Sequence, residues 1–212
     1  STVAEKLADY LHYLYFDTGV MYRAVTWASL QRLGEVVDEE AVSDLASKVV
    51  IDAQPPSLKD GRKYDVLLDG EDVTWDIRRP EVDANVSRVS AYPLVRKYMT
   101  EQQRRIGERG MVVMVGRDIG TVVFPEAQLK LYLDASVEER AHRRYTEVLE
   151  RGEEACYEDI LTSMKQRDEI DSTRSVAPLK PAADAYVLFT NGMPVEKVLQ
   201  IVIDLIGGKE RV

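Results

Sequence analysis

The sequence is poor in the residues that bind transition metals or form covalent intermediates. It has one cysteine, Cys156, and two histidines, His12 and His142, among 212 residues. A single cysteine cannot form an internal disulfide, which is typical of proteins kept in a reducing cytoplasm. Zinc sites combine several Cys and His ligands, and no histidine lies in a motif that would activate Cys156. The sequence therefore predicts a cytoplasmic protein with neither a zinc centre nor a catalytic cysteine.

Long apolar segments and excess positive charge are also missing. No apolar run reaches the roughly 18 residues of a membrane-spanning helix. The formal net charge is −9, which argues against nucleic acid and anionic membranes as partners because both attract basic surfaces. A small anionic ligand remains compatible with this charge if arginines gather at one place. The positions of the arginines are therefore the informative part of the sequence.

Helical and strand-like segments alternate along the chain, which is typical of an α/β protein with a mostly parallel sheet. Apolar strands are expected at 14–17, 111–115, 129–133 and 186–189. Helices are expected at 2–12, 20–33, 38–47, 81–91, 93–109, 136–151, 157–173 and 194–206. Two further strands, 49–54 and 64–70, have only a turn rich in Pro and Gly between them, so we expect them to pair antiparallel.

Polar turns follow each predicted parallel strand. They read "DTG", "GRD", "DAS" and "TNG" in chain order. Open parallel sheets bind ligands just beyond the carboxyl ends of their strands. Such turns are also common as plain surface turns, but Arg117 in "GRD" is not a turn-forming residue. We therefore expect an anion-binding site at this edge of the sheet.

The helix that begins in "DTGVMYR" has residues suited to an anion. Thr18 lies where the helix starts, and Tyr22 and Arg23 lie one turn further on. Helix N-termini favour negative charge, and Arg23 adds a positive one. Tyr22 is equally compatible with ordinary core packing.

Two later helices carry arginines at one-turn spacing. Arg167, Asp171 and Arg174 share one helix face, where the arginines could hold a phosphate and the carboxylate a ribose hydroxyl. Arg140 and Arg144 share a face of the preceding helix and could reach over a reacting phosphate. The alternative is a solvated i,i+4 ion pair for Arg167 and Asp171, and a plain charged helix face for Arg140 and Arg144.

Taken together, the motifs resemble bacterial cytidylate kinases over essentially the whole chain. The similar stretches, in order, are "DTGVMYR", "LDGEDVT", "EVDANVSRVSAYPLVR", "GRDIGTVVFP", "LDASVEERAHRRY" and "RDEIDSTRSVAPLKPAADA". Among them "GRDIGTVVFP" and the stretch that ends in "APLKPAADA" are the most specific.

The resemblance also gives a meaning to the first two residues. Members of this family carry a P-loop, G-x-x-x-x-G-K-[ST], after their first strand, and Ser1 matches its closing position, with Thr2 next. In such a loop the backbone and lysine hold the ATP phosphates, and the hydroxyl contacts Mg²⁺. We expect Ser1 and Thr2 to contact ATP, Ser1 to contact the metal, and the first strand and P-loop to lie upstream of Ser1. Without that central strand the parallel sheet is expected to be split.

The resemblance implies transfer of the γ-phosphoryl group of ATP, with Mg²⁺, to CMP or dCMP by a monomer. It implies a P-loop kinase core at 1–46 and 86–212, an acceptor-binding insertion with an antiparallel sheet at 47–85, and a helical lid at about 140–165. The implied acceptor-binding residues are Thr18, Tyr22, Arg23, Ser87, Arg96, Arg117, Asp118, Arg167, Asp171 and Arg174, and the implied catalytic arginines are Arg117, Arg140, Arg144 and Arg174.

Two alternatives to a cytidylate kinase remain at this point. One is a kinase of the same fold that acts on UMP or on another small acceptor. The other is a nucleotide-binding module without activity, because the P-loop itself is not in the sequence. Rates with several nucleoside monophosphates separate the first alternative, and ATP turnover separates the second.

Overall fold

A computed structural model describes residues 2–150, 152, 154–173 and 176–209. The chain forms two compact units, Ser1–Ile119 and Gly120–Val212. We call them the N-terminal and the C-terminal unit.

The N-terminal unit contains most of the secondary structure. Its elements are α1 (Thr2–Leu11), β1 (Leu14–Asp17), α2 (Gly19–Arg32), α3 (Glu39–Lys48), β2 (Ile51–Gln54), β3 (Asp65–Leu68), β4 (Glu71–Asp72), a 3₁₀ turn (Asp76–Arg78), α4 (Pro80–Val89), α5 (Pro93–Gly107) and β5 (Val112–Val115). A π-helical turn, Ile119–Val123, begins at the last residue of this unit and continues into the C-terminal unit.

Strands β1 and β5 run parallel. Leu14 pairs with Val112, and Asp17 pairs with Val115. Phe16 on β1 is completely buried, as are Met21 and Val25 on α2, so the apolar strand and the helix that follows it form the centre of this unit. Both strands end at the same edge, which brings the "DTG" and "GRD" turns side by side.

The predicted antiparallel pairing is confirmed. Ile51 of β2 pairs with Leu68 of β3, and β4 adds a third, short strand to the same sheet. The 47–85 boundaries of an insertion stay a prediction, because the N-terminal unit includes this sheet without a break.

A buried arginine fixes the turn that joins β2 and β3. The Arg62 side chain is 3% exposed and forms ion pairs with Asp60, Asp65 and Asp72. Hydrogen bonds from Arg62 and Trp75 hold the pKa of Asp60 below its usual range. Burial acts to raise the pKa values of Asp65 and Asp72, but their hydrogen bonds outweigh it and lower both. The carboxylates therefore stay ionised and hold the turn in place.

The C-terminal unit contains β6 (Leu131–Asp134), α6 (Val137–Glu150), α7 (Tyr157–Thr173), β7 (Tyr186–Phe189) and α8 (Val195–Lys209). Strands β6 and β7 run parallel, with Leu131 opposite Tyr186. The parallel strands thus form two separate two-stranded sheets, one in each unit. The predicted helices and strands are all present, with shifts of up to three residues at their ends, the largest at the end of α8. None of the described helices is long and apolar enough to cross a lipid bilayer.

Candidate functional site

The carboxyl ends of β1 and β5 meet through Thr18. Its backbone N–H and its hydroxyl both donate to the carbonyl of Val115, at 2.9 and 3.0 Å. A Cβ atom on Gly116 would lie 2.4 Å from the Thr18 hydroxyl oxygen, so only glycine allows the two turns to come this close. The predicted approach of the strand ends is confirmed, and Arg117 lies half-buried directly after β5.

A buried ion pair lies beside these turns. The Arg96 guanidinium on α5 donates to Asp118 at 2.6 Å, and the two side chains are 4% and 7% exposed. Arg96 also donates to the carbonyl of Ser90 at 3.1 Å, and its guanidinium lies over the Tyr22 ring, 5.3 Å from the centroid. The Nε of Arg96 is buried without a hydrogen-bond partner among the described residues. The sequence predicted these three residues for the site, and the structure brings Arg96, Asp118 and Tyr22 together.

Arg23 links three elements of the N-terminal unit. It extends from α2, donates to the carbonyl of Ile77 in the 3₁₀ turn at 3.0 Å, and forms an ion pair with Asp83 in the first turn of α4. The side chain of Arg23 is 30% exposed and that of Asp83 is 56% exposed. The predicted anion ligand therefore already binds a carboxylate.

Two residues that the sequence analysis did not select lie close to Arg23. The Tyr64 side chain is buried and packs against Tyr15 and Phe16 of β1. Burial, with a smaller contribution from Asp17, raises the pKa of the Tyr64 hydroxyl, while Arg78 and Arg23 act to lower it. Arg78 directly follows Ile77, whose carbonyl accepts a hydrogen bond from Arg23, and so adds a second guanidinium close to Tyr64. No local pattern marks it, because its position depends on the 3₁₀ turn.

Among the described residues, Ser87 makes no side-chain hydrogen bond to the Arg96–Asp118 ion pair. It lies exposed on α4, one turn before Ser90, and its hydroxyl forms no hydrogen bond to another described residue. Since Ser90 accepts a hydrogen bond from Arg96, Ser87 lies on the helix that borders this cluster.

The strand ends of the C-terminal unit also meet. The backbone N–H of Ser136 donates to Asn191 at 2.9 Å, and the hydroxyl of Thr190 donates to the carbonyl of Asp134 at 3.1 Å. The "DAS" and "TNG" turns thus lie side by side at one edge of the sheet, as the sequence predicted.

Arg140 joins the two long helices of this unit. Its guanidinium forms a two-pronged contact with Asp168 of α7, at 3.1 and 2.5 Å, and its Nε donates to the carbonyl of Ala135 at 3.1 Å. Arg144 contacts Glu147 of its own helix at 3.0 Å. Arg140 therefore lies near the end of β6, and Arg144 lies exposed one turn further along α6.

The remaining predicted residues lie on or near α7. Arg167 is 3.9 Å from the carboxylate of Asp171, whose side chain is 10% exposed, and the backbone carbonyl of Asp171 accepts the N–H of Leu179 at 2.8 Å. The helix face predicted from spacing thus exists for these two residues. Ser1 and Arg174 lie outside the described residues.

Lys130 connects the two most specific motifs. Its ammonium group donates to Asp184 and to the carbonyl of Pro125, and its side chain is 7% exposed. A Cβ on Gly120 would lie 3.1 Å from the Lys130 side chain. Lys130 therefore holds the loop of "PAADA" against the loop of "GTVVFP", a structural role that the sequence analysis missed.

A comparison with known protein families concerns the chain as a whole. The profile of the family described as cytidylate kinase matches residues 1–207. The chain belongs to the cytidylate kinase family. Membership confirms the family predicted from the motifs and, with the mixed α/β architecture, the predicted fold class.

Cytidylate kinases from several bacteria are similar over nearly the whole chain. The cytidylate kinase of Chloroflexus aggregans is 51% identical over 93% of this chain and 85% of its own length. That of Carboxydothermus hydrogenoformans is 46% identical over 100% of this chain and 94% of its own. That of Bacillus subtilis is 41% identical, with 100% and 92% covered.

Proposed function

We propose that the protein transfers the γ-phosphoryl group of ATP to CMP or dCMP and forms CDP or dCDP. The observation that carries this proposal is the buried pair of Arg96 and Asp118 beside the strand ends, in a chain of the cytidylate kinase family. The two residues offer a donor and an acceptor to one ligand.

Cytosine differs from uracil at one edge. It presents an amino donor and an unprotonated ring nitrogen, where uracil presents a carbonyl and an N–H. Ionised Asp118 can only accept a hydrogen bond, and Arg96 can only donate one. The buried Nε of Arg96 is a donor that the described residues leave unused. We assign the amino group to Asp118 and the ring nitrogen to Arg96, with Ser87 as a third contact.

The acceptor phosphate is assigned to Arg23 and Arg117, with Arg174 as a further contact. A phosphate monoester has a second pKa near 6, so the attacking oxygen is already anionic at neutral pH. The reaction therefore needs no general base, and its demand is for position and for positive charge. This explains a site that is rich in arginine and has no reactive cysteine or histidine.

The C-terminal unit is assigned to the ribose and to the transferred phosphoryl group. Arg167 and Asp171 are the proposed ribose contacts. In the N-terminal unit, Thr18 and Tyr22 are further proposed acceptor contacts. Arg140 and Arg144 are the proposed lid arginines, which would stabilise the charge that spreads over the phosphoryl oxygens in the transition state.

Magnesium is proposed to enter as the complex with ATP. No group of three or more His, Cys, Asp or Glu side chains that could hold a metal ion occurs in the described part of the chain. The proposed protein ligand is the Ser1 hydroxyl, and Ser1 and Thr2 are the proposed ATP contacts. The metal supplies charge neutralisation on the ATP phosphates when it is bound.

A panel of acceptors tests the proposal. Formation of ADP from ATP is measured with CMP, dCMP, UMP and AMP, each with and without excess EDTA. We expect kcat/KM to be highest for CMP or dCMP and turnover to stop with EDTA. Faster turnover of UMP would favour a uridylate kinase of the same fold, and no ATP turnover with any acceptor would favour a binding module.

A further inference from the structure

The proposed phosphate ligand Arg23 has a competitor within the chain. Its guanidinium forms two contacts, one with the carbonyl of Ile77 and one with the carboxylate of Asp83. The carbonyl is a neutral acceptor, but the carboxylate carries the same sign of charge as a phosphate. An incoming anion must therefore either displace Asp83 from Arg23 or share the guanidinium with it.

The position of Asp83 on its helix also favours a negative charge beside Arg23. It lies in the first turn of α4, which begins at Pro80, and helix N-termini favour negative charge. The N-terminus of α4 thus stabilises the negative charge of Asp83, and it would stabilise a phosphate bound to Arg23 in the same way. With 56% of its side chain exposed, Asp83 can turn into solvent without disturbing buried packing.

We infer that Asp83 occupies Arg23 as an internal anion until the phosphate of the acceptor nucleotide displaces it, and that it thereby sets the affinity for the acceptor. This inference rests on the proposed function, since it takes Arg23 as the ligand of the acceptor phosphate. Asp83 touches Arg23 and not the reacting atoms, so it acts as a positioning residue. Its loss removes the competing charge and leaves Arg23 available to the phosphate.

The test compares Asp83→Asn with Glu81→Gln. Both changes remove one negative charge from the first turn of α4, but only Asp83 contacts Arg23. Exposed ion pairs commonly change an equilibrium constant by up to about fivefold. Removal of the repulsion between the Asp83 carboxylate and the acceptor phosphate adds to this effect. We expect Asp83→Asn to lower KM for CMP by about threefold or more, with the change in KM and not in kcat, and Glu81→Gln to leave KM close to that of the wild-type protein.

Calorimetric binding of CMP and of cytidine separates this inference from the proposed function. Asp83→Asn is expected to tighten the binding of CMP and to leave cytidine unchanged, because cytidine has no phosphate. An unchanged or higher Kd for CMP, equal gains for cytidine, or an equal gain in Glu81→Gln would overturn the role of Asp83. A wild-type protein that binds CMP but does not phosphorylate it would overturn the proposed function, and the binding data would still decide the role of Asp83.

Discussion

Replacement of Asp118 by Asn tests whether the buried pair selects the base. The pair joins Asp118 to Arg96 at 2.6 Å, and both side chains are more than nine-tenths buried. An amide keeps the size of the carboxyl group but can present either a donor or an acceptor. Uracil places its carbonyl where cytosine has an amino group, so against a carboxylate it leaves buried polar groups unpaired, which costs about 1–3 kcal/mol for each.

The expected effect follows from this cost. Since about 1.4 kcal/mol corresponds to a factor of ten, relief of one mismatch is expected to narrow the ratio of kcat/KM for CMP over UMP by about tenfold. The absolute kcat/KM for CMP is expected to fall, because Arg96 loses its charged partner. The assay is steady-state ADP formation with both nucleotides, for the wild-type protein and for Asp118→Asn.

A second buried ion pair provides the control. Asp65 contacts Arg62 at 2.8 Å, with side chains that are 9% and 3% exposed. Asp65→Asn therefore removes a comparable charge from a comparable environment outside the proposed base contacts. Both variants are expected to lower the unfolding free energy, but only Asp118→Asn is expected to change the CMP/UMP ratio. If both rates of Asp118→Asn fall together and the ratio is unchanged, Asp118 supports the architecture of the site and does not recognise the base.

Three further predictions follow from contacts in the two units. Arg140→Met is expected to lower kcat by about tenfold or more, because the transferred phosphoryl group loses the stabilising positive charge of the guanidinium. Lys165→Met removes the exposed partner of Glu138 in a 3.5 Å contact between α6 and α7 and is expected to leave kcat unchanged. Equal losses of kcat in the two variants would refute a role of Arg140 in the reaction. The pKa values of Asp60, Asp65 and Asp72 lie below the ordinary value of 3.8. Their contribution to stability is therefore complete above about pH 5 and is lost progressively as the pH falls from the ordinary value toward the lowered ones. Urea unfolding between about pH 7 and pH 3 is expected to show the first part of this loss, and a loss of equal size in Arg62→Met would contradict it. Lys130→Met is expected to lower the unfolding free energy by about 1–3 kcal/mol, because the part-buried hydrogen bond from the ammonium group to the Pro125 carbonyl is lost. An unchanged midpoint of unfolding would contradict the role of Lys130.

Periodicity and turn chemistry were enough to predict most of the fold. The alternation of apolar strands and helices predicted the parallel pairs, and the Pro- and Gly-rich turn before Tyr64 predicted the antiparallel sheet. The strand-end rule brought Thr18 and Asp118 to one edge, because parallel strands with helical connections all end on the same side. These features depend on patterns within short stretches of the chain.

The carboxylate partners of the arginines could not be predicted in the same way. Arg23 and Asp83 are 60 residues apart in the sequence, and Arg140 and Asp168 are 28 residues apart. Such pairs depend on how two helices are placed by tertiary packing, which spacing along one helix does not contain. Tyr64 was missed for a related reason, since an isolated tyrosine at the start of a strand predicts only a buried side chain.

The most direct test of the account follows the fate of the transferred phosphoryl group. The protein is incubated with ATP that is radiolabelled in the γ-phosphate, with equal amounts of CMP and UMP, and the products are separated by chromatography. We expect the label to appear in CDP, with little in UDP and little in free phosphate. Label that appears mainly in UDP or in free phosphate, or that stays in ATP, would contradict this expectation.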